Sequence, residues 1–232
     1  MGHWSAFWDS EHSIYVNAGH RDVHYRMIAD QIVSYIPSAS TIILDYGCGE
    51  ALHADRVGAA AARLILVEAA PSVRARLAAR FGSDSRIEVR SPGELSASPE
   101  CSIDLIVMNS VIQYLAPEEF EALLGIFRRL LRANGLLVIA DVVPPHTSVV
   151  NDALALLRFA AANGFLWAAV WGLVRTVLSD YWQLRSRVGL SRYTEGALIH
   201  TLENAGFTGF RAHANIGHNR VRMTFHARPA AP

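Results

Sequence analysis

The sequence predicts an α/β fold: a doubly wound, mostly parallel sheet of seven strands, closed by a C-terminal antiparallel hairpin and carrying a helical cap insertion. Three observations predict it. Short β-branched apolar runs alternate with helical stretches over the first two thirds of the chain, which is the pattern of a parallel sheet with crossover helices. The runs are apolar throughout rather than alternating, as expected where both faces are covered. Two final strand-like runs flank a short glycine turn, which implies an antiparallel pair.

The elements follow in order. Tyr25, Ile28, Ile32 and Ile36 recur at helical spacing within a lead-in helix over 12–36, ended by Pro37 and a serine-rich stretch. A strand over 41–46 feeds the glycine turn Gly47-Cys48-Gly49, and helix follows to about Ala61. A second strand, 64–67, is closed by Glu68. Pro71 opens a helix over 71–81, a position that tolerates proline. Strands are expected at 86–90 and 103–108. An amphipathic helix over 117–131 has Phe120, Leu123, Leu124 and Phe127 on one face and is stopped by Asn134-Gly135. A fifth strand spans 136–143 and meets Pro144-Pro145. Helix is expected over 194–205, and strands at 207–212 and 221–226. The tail from Arg228 is expected to fray.

With 232 residues the chain is read as a single domain over 1–232, with an N-terminal helical lid at 1–40 and the cap insertion at 144–192. Twenty-one basic residues balance twenty-one acidic ones, and the absence of a basic run argues against a nucleic-acid partner. Two cysteines and a first segment unlike a signal peptide point to the cytoplasm. The insertion is uncharged over 159–174. It is shorter than a membrane span needs and is interrupted by Asn163-Gly164. Three readings remain for it: a cap over a substrate cleft, a homodimer contact, or membrane-surface contact through Trp167 and Trp171. Cap plus dimer contact is favoured.

The glycine turn sits where a strand meets a helix, and Glu68 closes the next strand nineteen residues after Gly49. Glycines there allow close backbone approach to a ligand, and a carboxylate at that edge can accept hydrogen bonds from ribose hydroxyls. A dinucleotide fingerprint wants a third glycine, and Leu52 stands in its place. Asp45, two residues before the turn, suits a ligand with a cationic end better than a pyrophosphate.

Asp45-x-Gly47-x-Gly49, Glu68, the run Ser102-Ile-Asp-Leu-Ile-Val-Met-Asn109 and the run Leu131-Arg-Ala-Asn-Gly-Leu-Leu-Val-Ile139 together resemble the class I S-adenosylmethionine-dependent methyltransferases, whose fold is Rossmann-like. The similarity covers 41–143 and resumes over 193–227. The resemblance implies an enzyme that uses S-adenosyl-L-methionine. Asp45 and the backbone of Gly47, Cys48 and Gly49 would hold its methionine end, and Glu68 its ribose. Ala69 would lie against the adenine, and Asn109 and Ser110 near the reacting methyl. Many relatives carry an acidic residue where this chain has Ser91, so Ser91, Gly93 or Glu94 is the adenine-side candidate.

The acceptor is read as a small, apolar or aromatic molecule. An NAD-dependent oxidoreductase on a similar sheet and a lipid-directed methyltransferase at the membrane surface are the alternatives. If the acceptor is a hydroxyl, a histidine base suits it. His146, after the fifth strand, and His20, in the lid, are the candidates. His20 and His24 lie four apart, but no third ligand accompanies them, and no metal is expected. Cys48 reads as a residue chosen for size. Tyr15 and Tyr25 are candidates for closing the site.

Overall fold

The computed structural model describes residues 17–177 and 190–231. Fourteen regular elements follow one another: α1 (Ala18–Val33), β1 (Ile42–Tyr46), α2 (Ala54–Ala60), β2 (Arg63–Val67), α3 (Pro71–Phe81), β3 (Ile87–Arg90), β4 (Ile103–Asn109), α4 (Pro117–Leu130), β5 (Leu131–Val142), α5 (Val149–Ala162), α6 (Leu166–Val177), α7 (Glu195–Asn204), β6 (Phe207–Arg211) and β7 (Met223–Pro229). The seven strands form one sheet in the order β3-β2-β1-β4-β5-β7-β6. The first five are parallel, and β7 runs antiparallel to both β5 and β6. The fold expected from the sequence is the fold observed.

Both sheet faces are covered, which explains the unbroken apolar runs. Leu44, Ile65, Ile106 and Met108 face α4 and α7, where they meet Phe120, Leu124, Phe127, Leu198 and Leu202. Ile43, Leu66, Leu105 and Val107 point the other way, onto Ala29 and Ile32 of α1, Val57 of α2 and Leu77 of α3. Each large side chain so buried stabilises the fold by about 1.5–3 kcal/mol. Asp104 clamps the opposite end of the sheet from the glycine turn. Its carboxylate accepts from the Ile42 amide at 2.8 Å and from Arg132 at 2.6 Å.

Three boundaries differ from expectation. The first helix starts at Ala18, where the Asn17 side chain accepts from the His20 amide at 2.7 Å. The fifth strand begins at Leu131, because Leu131 already pairs with Ile103 before the ladder shifts register. The tail does not fray: Arg228 and Pro229 continue β7 opposite Thr208 and Phe207. Proline is tolerated there because β5 pairs with β7 only as far as Ala227, so the missing N–H is not needed on that side.

Over its described residues the insertion holds two helices, α5 and α6. Asn163-Gly164 breaks them, with Gly164 at φ +79°. No helix among the described residues is long and apolar enough to cross a membrane. Tyr15, the start of the lead-in and the end of the insertion (178–189) lie outside the described residues.

Candidate active site

A cavity of about 700 Å³ opens at the carboxyl ends of β1, β2, β4 and β5. This is the edge at which open α/β sheets bind ligands, and the volume suits a small-molecule site. Its floor is the turn after β1. Gly47 (φ +70°) and Gly49 (φ +58°) take left-handed backbone, and the Gly47 amide donates to the Val67 carbonyl at 2.7 Å. A Cβ on Gly47 would lie 2.4 Å from Val111 Cγ2, and one on Gly49 would lie 2.8 Å from the Tyr25 hydroxyl. That hydroxyl in turn accepts from the Glu50 amide at 3.1 Å, so Tyr25 of α1 closes over the turn.

Glu68 is buried at the end of β2. One carboxylate oxygen accepts from the Gly49 amide at 2.9 Å and the other from the Ala70 amide at 2.8 Å. Arg74 braces the same corner through the carbonyls of Glu68 and Ala69. Asp45 lies beside them. Burial first, and the charge of Glu68 second, push its carboxyl up to about 7. The buried Cys48 thiol is pushed well above its ordinary value by burial and by Asp45 and Glu68, so it stays protonated. This end of the cavity therefore holds two crowded carboxyl groups.

The opposite side is built by α1, the insertion and the β6–β7 loop. His20, His24 and His218 line it. Burial, with the charge of His218 second, lowers His20 to about 4. Burial lowers His24 to about 3, with His218 and His20 adding to it. Burial also lowers His218. All three are neutral imidazoles at neutral pH. His20 stacks on Phe165 at 4.9 Å between ring centroids, and His218 on Phe159 at 4.7 Å. Asp152 of α5 receives Arg222 through both carboxylate oxygens at 2.9 Å, and Asn219 at 2.9 Å. These contacts tie the insertion to the loop.

The structure brings together Asp45, Gly47, Cys48, Gly49, Glu68, Ala69, Asn109, Ser110 and, from the opposite side, His20 around one cavity. It does not bring Gly93, Glu94 or His146 there. Gly93 is exposed, and the Glu94 carboxylate is turned back onto Ser91, accepting from its amide at 2.7 Å and its hydroxyl at 2.6 Å. Pro92 is the residue of that turn that reaches the cavity. His146 is exposed after the strand end, beside the Pro145 carbonyl that Arg192 binds. Sequence reasoning missed Asp141, Asp152, His218, Asn219 and Arg222. No group of three or more His, Cys, Asp or Glu among the described residues could hold a metal ion.

A seven-stranded sheet of this order, with a reversed terminal strand and a glycine turn facing an acidic residue on the next strand, defines a class I S-adenosylmethionine-dependent methyltransferase. Residues 20–211 match the family model described as a methyltransferase domain, and the chain belongs to that family. The fold is similar to that of a putative methyltransferase solved with the Haloferax volcanii Trm112 methyltransferase activator. There the identity is 13% and the TM-score 0.62, over 100% of this chain and 99% of that one. It is also similar to magnesium protoporphyrin IX methyltransferase from Synechocystis PCC 6803 with bound S-adenosylhomocysteine, at 14% identity and TM-score 0.59 over 98% and 93%. A third likeness is to 1,6-didemethyltoxoflavin-N1-methyltransferase from Burkholderia thailandensis, at 17% identity and TM-score 0.54 over 89% and 78%. No curated protein matches the sequence. Membership of the methyltransferase family sets aside the oxidoreductase alternative.

Proposed function

We propose that the chain transfers the methyl group of S-adenosyl-L-methionine to a small apolar or aromatic molecule, bound under the insertion. The observation that carries the reading is the placement of Asp45 and Glu68, two carboxyl groups on adjacent strand ends at one end of a largely aliphatic and aromatic cavity. A cationic ligand end relieves the repulsion between them, whereas a pyrophosphate would add to it. In this reading Asp45 and the Gly47, Cys48 and Gly49 backbone take the methionine end. Glu68 takes the ribose through the lone pairs its two amide contacts leave over, and Ala69 lies against the adenine. Asn109 and Ser110 stand where the methyl is delivered. The bound compound supplies an activated methyl on a positive sulfur. The protein's part is alignment and exclusion of water.

The support for a small acceptor is the enclosure. Asp152 and Leu156 of α5 and the lead-in helix α1 close the cavity from above, consistent with a cap over 144–192 and a lid over 1–40 within one domain. His20 forms part of this roof, where burial holds its imidazole near 4, a weaker base than an ordinary histidine. The outer face of the insertion exposes Trp167 at 84% and Trp171 at 66%, one helical turn apart. Exposed aromatic surface of this kind supports contact with a second copy of the chain.

Calorimetry with S-adenosylhomocysteine and with NAD tests the cofactor assignment. Binding of the first and not the second is expected. Binding of NAD alone would overturn it.

A further inference from the structure

The carboxyl end of β5 departs from a regular ladder. Its pairing with β7 changes register between Ile139 and Val142, and Asp141 within that break has φ +59°. Ser110, the residue after β4, has φ +58°. Left-handed backbone at a residue other than glycine costs on the order of 1–3 kcal/mol, and it persists only where the surroundings hold it. Here they do. The Ser110 hydroxyl donates to Asp141 Oδ2 at 2.8 Å, and the Ser110 amide donates to the Ala140 carbonyl at 3.1 Å. The Asp141 amide donates to Asn215 Oδ1 at 3.1 Å, and that oxygen also accepts from Thr224 at 2.9 Å. A bulge held this firmly re-aims a side chain. Asp141 lines both the main cavity and a side pocket of about 40 Å³, enough for a water molecule or one polar group. His24, Asn109, Ser110, His218 and Asn219 share the side pocket. Two of its atoms, Asn109 Oδ1 and His218 Nδ1, are buried without a hydrogen-bond partner among the described residues.

We propose that this side pocket docks the O–H or N–H group of a small aromatic acceptor, and that Asp141 takes its proton during methyl transfer. The proposal rests on the methyltransferase reading and goes beyond it by naming the acceptor chemistry and the base. In the step, the acceptor's oxygen or nitrogen forms a bond to the methyl carbon. The sulfur–carbon bond breaks and leaves its electron pair on sulfur. The acceptor's proton passes to the Asp141 carboxylate. A positive sulfur and a negative carboxylate both become neutral, so the step leaves no new charge in a poorly solvated cleft.

The backbone break and the Ser110 bond set Asp141 at the side pocket, and burial acts oppositely on it and on the histidines. His20, His24 and His218 resist protonation, because burial lowers each of them and their mutual repulsion deepens this for His20 and His24. Asp141 moves the opposite way. Burial raises its carboxyl, and this is tempered by Arg222, by the Ser110 and Asn215 hydrogen bonds and, in the raising sense, by Asp152. A carboxyl raised in this way is a better proton sink than an ordinary aspartate. Ser110 is a positioning residue, since it holds the carboxylate in its aimed conformation.

The test uses the full chain, phenol and 4-nitrophenol as acceptors, and labelled methyl from S-adenosylmethionine at pH 8. The chain loaded with S-adenosylhomocysteine is expected to bind both phenols by calorimetry. Asp141→Asn is expected to lower kcat on phenol about 100-fold or more, the range of general-base catalysis. KM and S-adenosylhomocysteine affinity should stay within about threefold. The loss should shrink to less than tenfold on 4-nitrophenol, which is ionised at this pH and needs no base. Ser110→Ala is expected to show the same split with smaller losses. Equal losses on both phenols, an unchanged rate in Asp141→Asn, or no binding of either phenol to the loaded chain would overturn the proposal alone. Failure to bind S-adenosylhomocysteine would overturn the cofactor assignment and the proposal with it.

Discussion

The amide of Gly49 donates to the Glu68 carboxylate at 2.9 Å, so the turn after β1 and the end of β2 form one hydrogen-bonded unit. A carboxylate oxygen has lone pairs for more than one donor. Glu68 can therefore shape the turn and still receive ribose hydroxyls.

That dual role fixes the first prediction. Glu68→Ala removes hydrogen bonds to a charged group, each worth about 1.5–3 kcal/mol, and frees the Gly49 amide as well. S-adenosylhomocysteine affinity, measured by calorimetry, is expected to fall roughly tenfold to a hundredfold, and the melting temperature should fall with it. Glu68→Gln keeps an acceptor at one position and should lie between. Unchanged affinity in both variants would remove Glu68 from the ligand.

Asp45 gives the second prediction. Its folded carboxyl titrates near 7 against an ordinary 3.8. Between those values the folded chain holds a proton that the unfolded chain has released, so this group's contribution to stability falls as pH rises through that window. Asp45→Asn removes the penalty. Its stability relative to the parent, from urea unfolding, should therefore increase from pH 4 to pH 8. Ligand affinity should move oppositely. The cationic end of S-adenosylmethionine prefers the ionised carboxylate, so affinity of the parent rises with pH through about 7. Asp45→Asn should bind about tenfold or more weakly at pH 8 and show little of that dependence. A pH-independent parent would contradict the assignment.

The sheet and the glycine-turn end of the cavity are legible because they are local. Asp45, Gly47 and Gly49 fall within five residues, and the strand carrying Glu68 announces itself by its apolar run. The end of the cavity around Asp141 is not legible. Asp141 reads as one residue within the fifth strand, 136–143, and nothing in its neighbours signals a left-handed backbone. Its partners Ser110 and Asn215 are 31 and 74 residues away. His218 and Asn219 read as turn residues, and only the docking of α5 through Asp152 gives them a role at the site. Chain position points Gly93 and Glu94 to the adenine side, but Glu94 bonds locally to Ser91 and neither residue lines the cavity. His146 was expected in the cleft because it follows a strand end, yet the chain turns it outward.

Gly47→Ala is the third prediction. At φ +70° an alanine is strained by about 1–2 kcal/mol, and its Cβ would sit 2.4 Å from Val111 Cγ2. The variant is expected to lose stability in urea unfolding by more than the backbone strain alone. Adding Val111→Ala should recover the part due to the clash and leave the backbone part. A double variant no better than the single one would mean that Val111 is not what limits the turn.

The outward face of the insertion supplies the fourth. Trp167 and Trp171 lie on one side of α6 and are exposed together with Leu166 and Val170. Replacing both tryptophans by serine should shift the chain from dimer to monomer in sedimentation velocity while S-adenosylhomocysteine affinity holds. A parent that is monomeric at tens of micromolar would dispose of the dimer contact.

The fifth prediction concerns what ties the insertion to the β6–β7 loop. Asp152 and Arg222 have side chains only 19% and 10% exposed, and they meet through two bonds of 2.9 Å. Removing one member of such a pair leaves the other charge poorly solvated, at a cost of about 3–5 kcal/mol, whereas removing both costs less. Asp152→Ala should therefore destabilise strongly and make the insertion sensitive to proteolysis, since α5 loses its bond to Asn219 as well. Arg222→Met alone strands Asp152 near Asp141, whose carboxyl Arg222 helps to hold down, so Asp141 should rise further. In Asp152→Ala with Arg222→Met, stability should recover relative to the sum of the single losses by more than 1 kcal/mol, the size expected of residues in contact. Additive losses in urea unfolding would show that the pair does not couple the cap to the sheet. The acceptor roof would then have to be held by its ring stacking, His20 on Phe165 and His218 on Phe159.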